Sequence, residues 1–170
     1  MKDRWRARRV GLAIILSVTA IAGLTWTAVS ADGRVDLVVR LPHGTELERL
    51  TLDEGDGFAL RYRNSLYRSL VEERFEITAN GQFHLVELAA DELAVLEEYY
   101  AIDEPAQAAR SGDARAWVAE PAIEVALTSL TVAATDLGER TLLVGDRPPL
   151  KLWRLVEDGA ASIVVEVDAP

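Results

Sequence analysis

Cysteine is absent from the 170 residues, and lysine occurs only at Lys2 and Lys151. Without thiols the chain can form no disulfide, thiolate metal site or cysteine nucleophile, and it has no cysteine to carry a lipid, so its folded part must hold together by its core. Histidine is nearly as scarce. His43 follows Pro42 in a turn and His84 alternates with Phe83 and Leu85, a separation that makes no metal motif. No cofactor motif, internal repeat or low-complexity tract is present, and no cofactor is expected.

The shortage of lysine leaves basic charge to arginine. Five of the eighteen basic residues, Lys2, Arg4, Arg6, Arg8 and Arg9, open the chain; with these and Asp3 set aside, the remainder carries a net charge of −14. Such a balance excludes nucleic acid as a partner. An acid-rich, lysine-poor surface is one way to remain soluble at high salt, which points to a halophilic setting; an arginine-rich codon bias over an ordinary acidic surface gives the same composition.

Long apolar runs are lacking too, with one exception. Val10 to Ser30 is interrupted only by Gly and hydroxyl residues, and Ser17, Thr19, Thr25 and Thr27 suit a lipid helix because a hydroxyl can bond back to the preceding turn. Trp5 and Trp26 are about 31 Å apart at the helical rise, close to the thickness of a bilayer core. Residues 1–31 therefore read as a transmembrane signal anchor, or as a signal peptide cleaved after Ala28-Val29-Ser30. In either case the basic flank stays in the cytoplasm. Residues 32–170 form an extracytoplasmic domain, single-pass on the cell membrane or secreted after cleavage, and are enough for one domain that buries about two thirds of its unfolded surface.

Beyond Asp32-Gly33, about ten short runs of β-type residues are separated by turn signals. The fold class is all-β, an antiparallel β-sandwich or barrel with one short helix. Val35 to Arg40 and Leu47 to Leu52 come first, the latter closed by the Asp53-Glu54-Gly55-Asp56-Gly57 cluster. A hairpin over Gly57 to Ile77 follows, then an Asn80-Gly81 turn and a strand from Phe83 to Leu88. In Ala89 to Tyr100 the apolar positions Ala89, Leu93, Leu96 and Tyr100 are spaced helically. Asp103 to Arg115, polar and small, reads as an exposed, mobile loop. Strands are then expected at Trp117 to Ala119, Ile123 to Thr135, Arg140 to Val144, Leu150 to Val156 and Ser162 to Val167. The apolar phase shifts within Ile123 to Thr135, which predicts a bulge or strand break near Thr128-Ser129.

The hairpin carries the candidate site. Alternation puts Phe58, Leu60, Tyr62 and Asn64 on one side of its first strand and Val71, Glu73, Phe75 and Ile77 on one side of its second, so Asn64 and Glu73 fall on an apolar face. Pairing Leu60 with Ile77 and Tyr62 with Phe75 brings Asn64 opposite Glu73. A carboxylate there needs a partner, for which Asn64, Ser65 and Arg68 are the local candidates; otherwise it ties down the loop by accepting backbone N–H bonds. Arg61, Arg63, Arg68 and Arg74 form a basic patch that could dock an anion, or that pairs across strands with Glu72 and Glu76.

At this hairpin, and at Ala94-Val95-Leu96-Glu97-Glu98-Tyr99-Tyr100, the chain resembles the DUF1850 family, exported bacterial and archaeal domains of unknown function encoded beside TAXI-type TRAP transporters. The family pattern, a strand ending in His-Ser-Val, a polar stretch with Pro, then Val and Glu before an aromatic strand, maps onto Asn64-Ser65-Leu66, Leu70, Val71, Glu73 and Phe75. Ser65 and Glu73 match, Asn64 replaces the His and Leu70 the Pro, and the Gly-rich stretch of many members is missing. Asn can hydrogen-bond but cannot titrate, so an acid/base role of that position is not carried over.

The resemblance implies a small exported accessory domain linked to solute uptake. With no catalytic motif present, the leading expectation is a non-enzymatic domain that binds transporter subunits, their solute receptor or a small anion, with Asn64, Ser65, Arg68 and Glu73 as the candidate contact residues. Two other readings stay open: a small hydrolase-like enzyme using Glu73 with Ser65, and an envelope protein with no ligand.

Overall fold

The computed structural model describes residues 34–78, 80–156 and 162–168. Among them twelve strands form two antiparallel sheets of four and eight strands, accompanied by one short α-helix and one turn of 3-10 helix. The segment expected to anchor or address the chain, residues 1–31, lies outside the described residues; among those described, no helix is long and apolar enough to cross a membrane.

In the four-stranded sheet, β1 (Arg34–Arg40) lies between β2 (Glu46–Asp53) and β12 (Ser162–Asp168), and β9 (Ser129–Ala133) follows β12. Val35, Leu37 and Val39 of β1 point inward with Ile163 and Val165 of β12, as period-two alternation requires. Val38 faces the other way and is nonetheless fully buried. Its neighbours across the pairs are Arg49 and Glu166. Around it Arg40 and Arg49 bond to Asp36, Glu46, Glu166 and Asp168.

The larger sheet is built on β3 (Gly57–Arg63), β4 (Leu70–Ile77) and β5 (Phe83–Ala90). On the β3 side it continues through β10 (Thr141–Val144) to β11 (Leu150–Lys151). On the β5 side it continues through β7 (Trp117–Ala119) to β6 (Gln107–Ala108), with β8 (Ala126–Leu127) also on β5. Phe58, Leu60, Phe75, Ile77, Phe83 and Leu142 join the inward residues of the first sheet in one core. Phe58 and Phe75 stack at 4.9 Å, and Phe83 meets both edge-on at 5.2 and 5.5 Å. A second, smaller cluster of Val71, Leu88, Ala90 and Ala119 seats Val95 and Leu96 of α1 (Leu93–Tyr99).

The antiparallel β architecture with one short helix agrees with the sequence reading, and so does the Asn80-Gly81 turn, where Gly81 has φ of 67° and donates to the Thr78 carbonyl. The phase shift near Thr128 has a specific origin: β8 pairs with β5 in one sheet and β9 with β12 in the other, so the chain changes sheets at that residue. Other elements differ. The helix begins at Leu93 rather than Ala89, because Ala89 and Ala90 extend β5 and pair with Glu72 and Val71. An irregularity at Arg74/Phe75 leaves Val86 as the extra residue on β5, which lets Leu85 and Leu88 serve the same face. Leu150 to Val156 is strand only at its start; the chain then turns so that Leu152 is fully buried.

Candidate functional site

The β3–β4 hairpin is tighter than alternation alone predicts. Phe58 faces Phe75, Leu60 faces Glu73 and Tyr62 faces Val71, so the expected pairing of Asn64 with Glu73 is corrected by four positions of the partner strand. An even slip keeps every side chain on its face, which is why the apolar pattern could not reveal it. Asn64 sets the register. Its backbone N–H donates to the Ser69 carbonyl at 2.9 Å, its own carbonyl accepts from Arg68 at 2.8 Å, and its Oδ1 accepts the N–H groups of Leu66 and Tyr67, both at 3.0 Å. The side chain stands in for a turn of backbone, and Arg68 closes the loop with φ of 55°. Asn64 is buried, whereas Ser65, Leu66, Tyr67 and Arg68 are exposed.

Glu73 is half-buried on the inward face of β4, between Val71 of the small cluster and Phe75 of the main core. None of its expected partners reaches it. Its hydrogen bond comes from the Tyr100 hydroxyl at 2.8 Å, and the Tyr100 oxygen also meets the Tyr62 hydroxyl. Counting protons fixes the direction of this chain: Tyr100 gives its single hydrogen to Glu73, so Tyr62 must donate to Tyr100. Burial, followed by the charge of Glu73, holds the Tyr100 hydroxyl far above the ordinary tyrosine range. Burial also raises Tyr62, against the lowering effect of its bond to Tyr100. Both phenols therefore stay protonated and remain donors. The Arg140 guanidinium stands 4.8 Å over the Tyr62 ring.

The exposed part of the loop carries two large apolar side chains, Leu66 and Tyr67, beside Ser65 and Arg68. Tyr67 packs edge-on against Tyr99 at 6.4 Å and donates its hydroxyl to Glu98. On the opposite flank the Asp136–Glu139 turn is tied to the hairpin by the bond from Arg63 N–H to the Gly138 carbonyl at 2.8 Å. Leu66 is 65% exposed and Leu137 71%. Of six large apolar side chains exposed among the described residues, Leu66, Tyr67, Tyr99 and Leu137 lie at this end. Sequence reasoning missed the gathering because Leu137 and Tyr99 come from separate elements.

Of Arg61, Arg63, Arg68 and Arg74, expected either as a basic patch or as partners of neighbouring acids, two are paired: Arg63 with Glu139 at 3.4 Å, and Arg74 within an acidic cluster. Arg74 is enclosed by Glu72 at 3.0 Å, Glu87 at 2.6 Å and Asp113 at 2.8 Å. Arg115, with a side chain only 10% exposed, bridges Glu72 and Asp91. Pairing with Glu72 was expected, although Arg74 makes it along its own strand and not across strands. Glu72 itself is 5% exposed rather than solvent-facing. The segment from Asp103 to Arg115 is accordingly no free loop: β6 pairs with β7, and Asp113 and Arg115 strap the connection onto β4 and β5.

Arg74 holds the Asp113 carboxyl at about 2, well below the usual range. A carboxylate depressed in the folded state contributes stability that is complete above about pH 4 and lost as the pH falls through about 2. Allowing for partial exposure, the contribution is about 1–2 kcal/mol. Unfolding free energies from urea titrations at pH 5 and pH 2.5 should differ more for the wild type than for Asp113→Asn by about two thirds of that amount; equal pH dependence would show that the strap does not sense this charge.

Between the strap and the sheet lies an open cleft of about 520 Å³ lined by Glu87, Asp103, Glu104, Gln107, Arg110 and Glu120. Among the described residues no group of three or more His, Asp or Glu side chains is placed to hold a metal ion. Comparisons with family models, with curated proteins and with solved structures find no match.

Proposed function

We propose that the chain is a membrane-anchored extracytoplasmic binding domain, a β-sandwich that acts by contact and not by catalysis. One observation carries this reading: the residues on which chemistry could rest are occupied in shaping the β3–β4 end, and that end displays apolar side chains. Asn64 is committed to the loop and Glu73 to Tyr100, while Ser65 and Arg68 are exposed and their side chains hydrogen-bond to neither. The anchor is supported by the apolar run from Val10 to Ser30 behind its arginines.

The link to a TRAP-type transporter is supported by the resemblance at Ser65 and Glu73. On this reading the partner is a membrane subunit or the solute receptor. Isolation of the full-length chain from native membranes in mild detergent should co-purify one such component in near-stoichiometric amount. Repeated recovery of the chain without any transporter component would overturn the assignment.

A further inference from the structure

We infer that the free edge of β9 is a strand-pairing surface whose occupant is β9 of a second copy of this chain, the two joined antiparallel about a two-fold axis. This surface is separate from the β3–β4 loop end. Sheet edges carry unpaired main-chain groups, and folded proteins blunt them with shortness, charge or a cover. In the larger sheet β6, β8 and β11 are two residues each. In the smaller sheet β2 carries Glu46, Glu48, Arg49 and Asp53, its register with β1 shifts at Val39/Arg40, and Arg147 lies against it, donating to the Thr51 carbonyl at 2.8 Å. β9 has none of these guards. Its five residues stand within an uncharged run from Val125 to Thr135, and among the described residues it pairs with β12 alone.

The bond from the Val167 N–H to the Thr128 carbonyl at 2.9 Å fixes which groups are free. Hydrogen-bonded pairs alternate along an antiparallel ladder, so Leu130 and Val132 bond to Val165 and Ile163 of β12, while the N–H and C=O groups of Ser129, Thr131 and Ala133 point away from it. All three residues are exposed. A two-fold axis at Thr131 sets this residue opposite Thr131 of the second copy and Ser129 opposite its Ala133, and each such pair exchanges two main-chain bonds. On the outer face hydroxyl meets hydroxyl, a favourable cross-strand pair; on the core face Leu130 meets Val132. No cross-pair sets charge against charge, although the domain's net charge of −14 opposes the approach of a second copy elsewhere. β9 has no charged side chain by which to select a foreign peptide, whereas its own sequence supplies the matching row. Pairing also closes the assembly. The joined sheet runs from one copy's β2 to the other's, and both of its outer edges are guarded, so growth stops at two.

The absence of cysteine gives a silent background, since a single introduced cysteine is the chain's one thiol. Full-length Thr131→Cys in detergent micelles, at about 1 M salt to screen the acidic surfaces, should form a disulfide-linked dimer on mild oxidation. Opposed residues of a hydrogen-bonded pair have Cα atoms about 5.5 Å apart, within disulfide reach. Ser129→Cys and Ala133→Cys should each remain single alone and crosslink when mixed, and Glu48→Cys on the guarded edge should not crosslink. Thr131→Lys, which opposes two ammonium groups, should weaken dimerisation in sedimentation at least about tenfold. An unchanged melting temperature for that variant would show that the fold is intact. Monomeric behaviour of the wild type up to about 100 μM would overturn the proposal. Dimers in which Thr131→Cys does not crosslink pair by another surface and would overturn it as well. Crosslinking at all four positions alike, the pattern of copies gathered by their N-terminal segments, would equally do so.

Discussion

Arg74→Met is expected to lower the unfolding free energy by about 3–5 kcal/mol, a large share of the ~5–15 kcal/mol that holds a domain together. The reason is what remains behind. Glu72, Glu87 and Asp113 converge on Arg74, and without it three carboxylates share a face with Arg115 as the remaining cation bridging to Glu72. Glu72 is 5% exposed and cannot turn to water for compensation. Denaturant unfolding of Arg74→Met beside Arg61→Met on the same strand pair checks the claim; a loss no larger than that of Arg61→Met would mean the network is a solvated surface array.

The second large effect is expected from Tyr100→Phe, at about 2–3 kcal/mol. Removing one oxygen deprives Glu73 of its donor and Tyr62 of its acceptor. The carboxylate then lies between two apolar clusters with its bond unmade. A double-mutant cycle separates this from simple packing: in a Glu73→Leu background, Tyr100→Phe should cost less than half as much. Equal losses in both backgrounds would show that Tyr100 acts through its ring alone.

Much of the β architecture was legible because strands announce themselves by alternation and by the turn residues between them. The inward position of Glu73 was legible for the same reason, whereas its partner was not. Tyr100 lies 27 residues away, and the helical spacing that placed it with Leu93 and Leu96 described packing only. A signal was available: a buried tyrosine needs an acceptor, and a buried carboxylate needs a donor, and the two demands could have been joined. The hairpin register was hidden because Asn64, read as the last inward residue of a strand, is the first residue of the loop, and a slip of even length leaves the hydrophobic pattern unchanged. The strap was hidden because its small polar residues imitate a free loop, while Asp113 finds Arg74 39 residues earlier. Long-range ion pairs leave no period in a sequence. The apolar end was equally invisible, since it is assembled by sheet order and not by any single segment.

The order of strands in the smaller sheet also bears on how the domain is completed in time. β1, near the start of the folded part, has β2 on one side and β12 on the other, and β12 in turn joins β9 to the rest. A chain threaded outward from its N-terminal end can close the β1–β2 pair early, but β1 keeps an open hydrogen-bonding edge until Ser162–Asp168 has emerged. Closure waits on a pairing more than a hundred residues long, a slow step by the ordinary relation between contact separation and folding rate. The last strand thereby acts as a check on completeness: a chain cut short before β12 keeps its first strand unsaturated and β9 without a neighbour, an invitation to chaperones and proteases rather than to a partner.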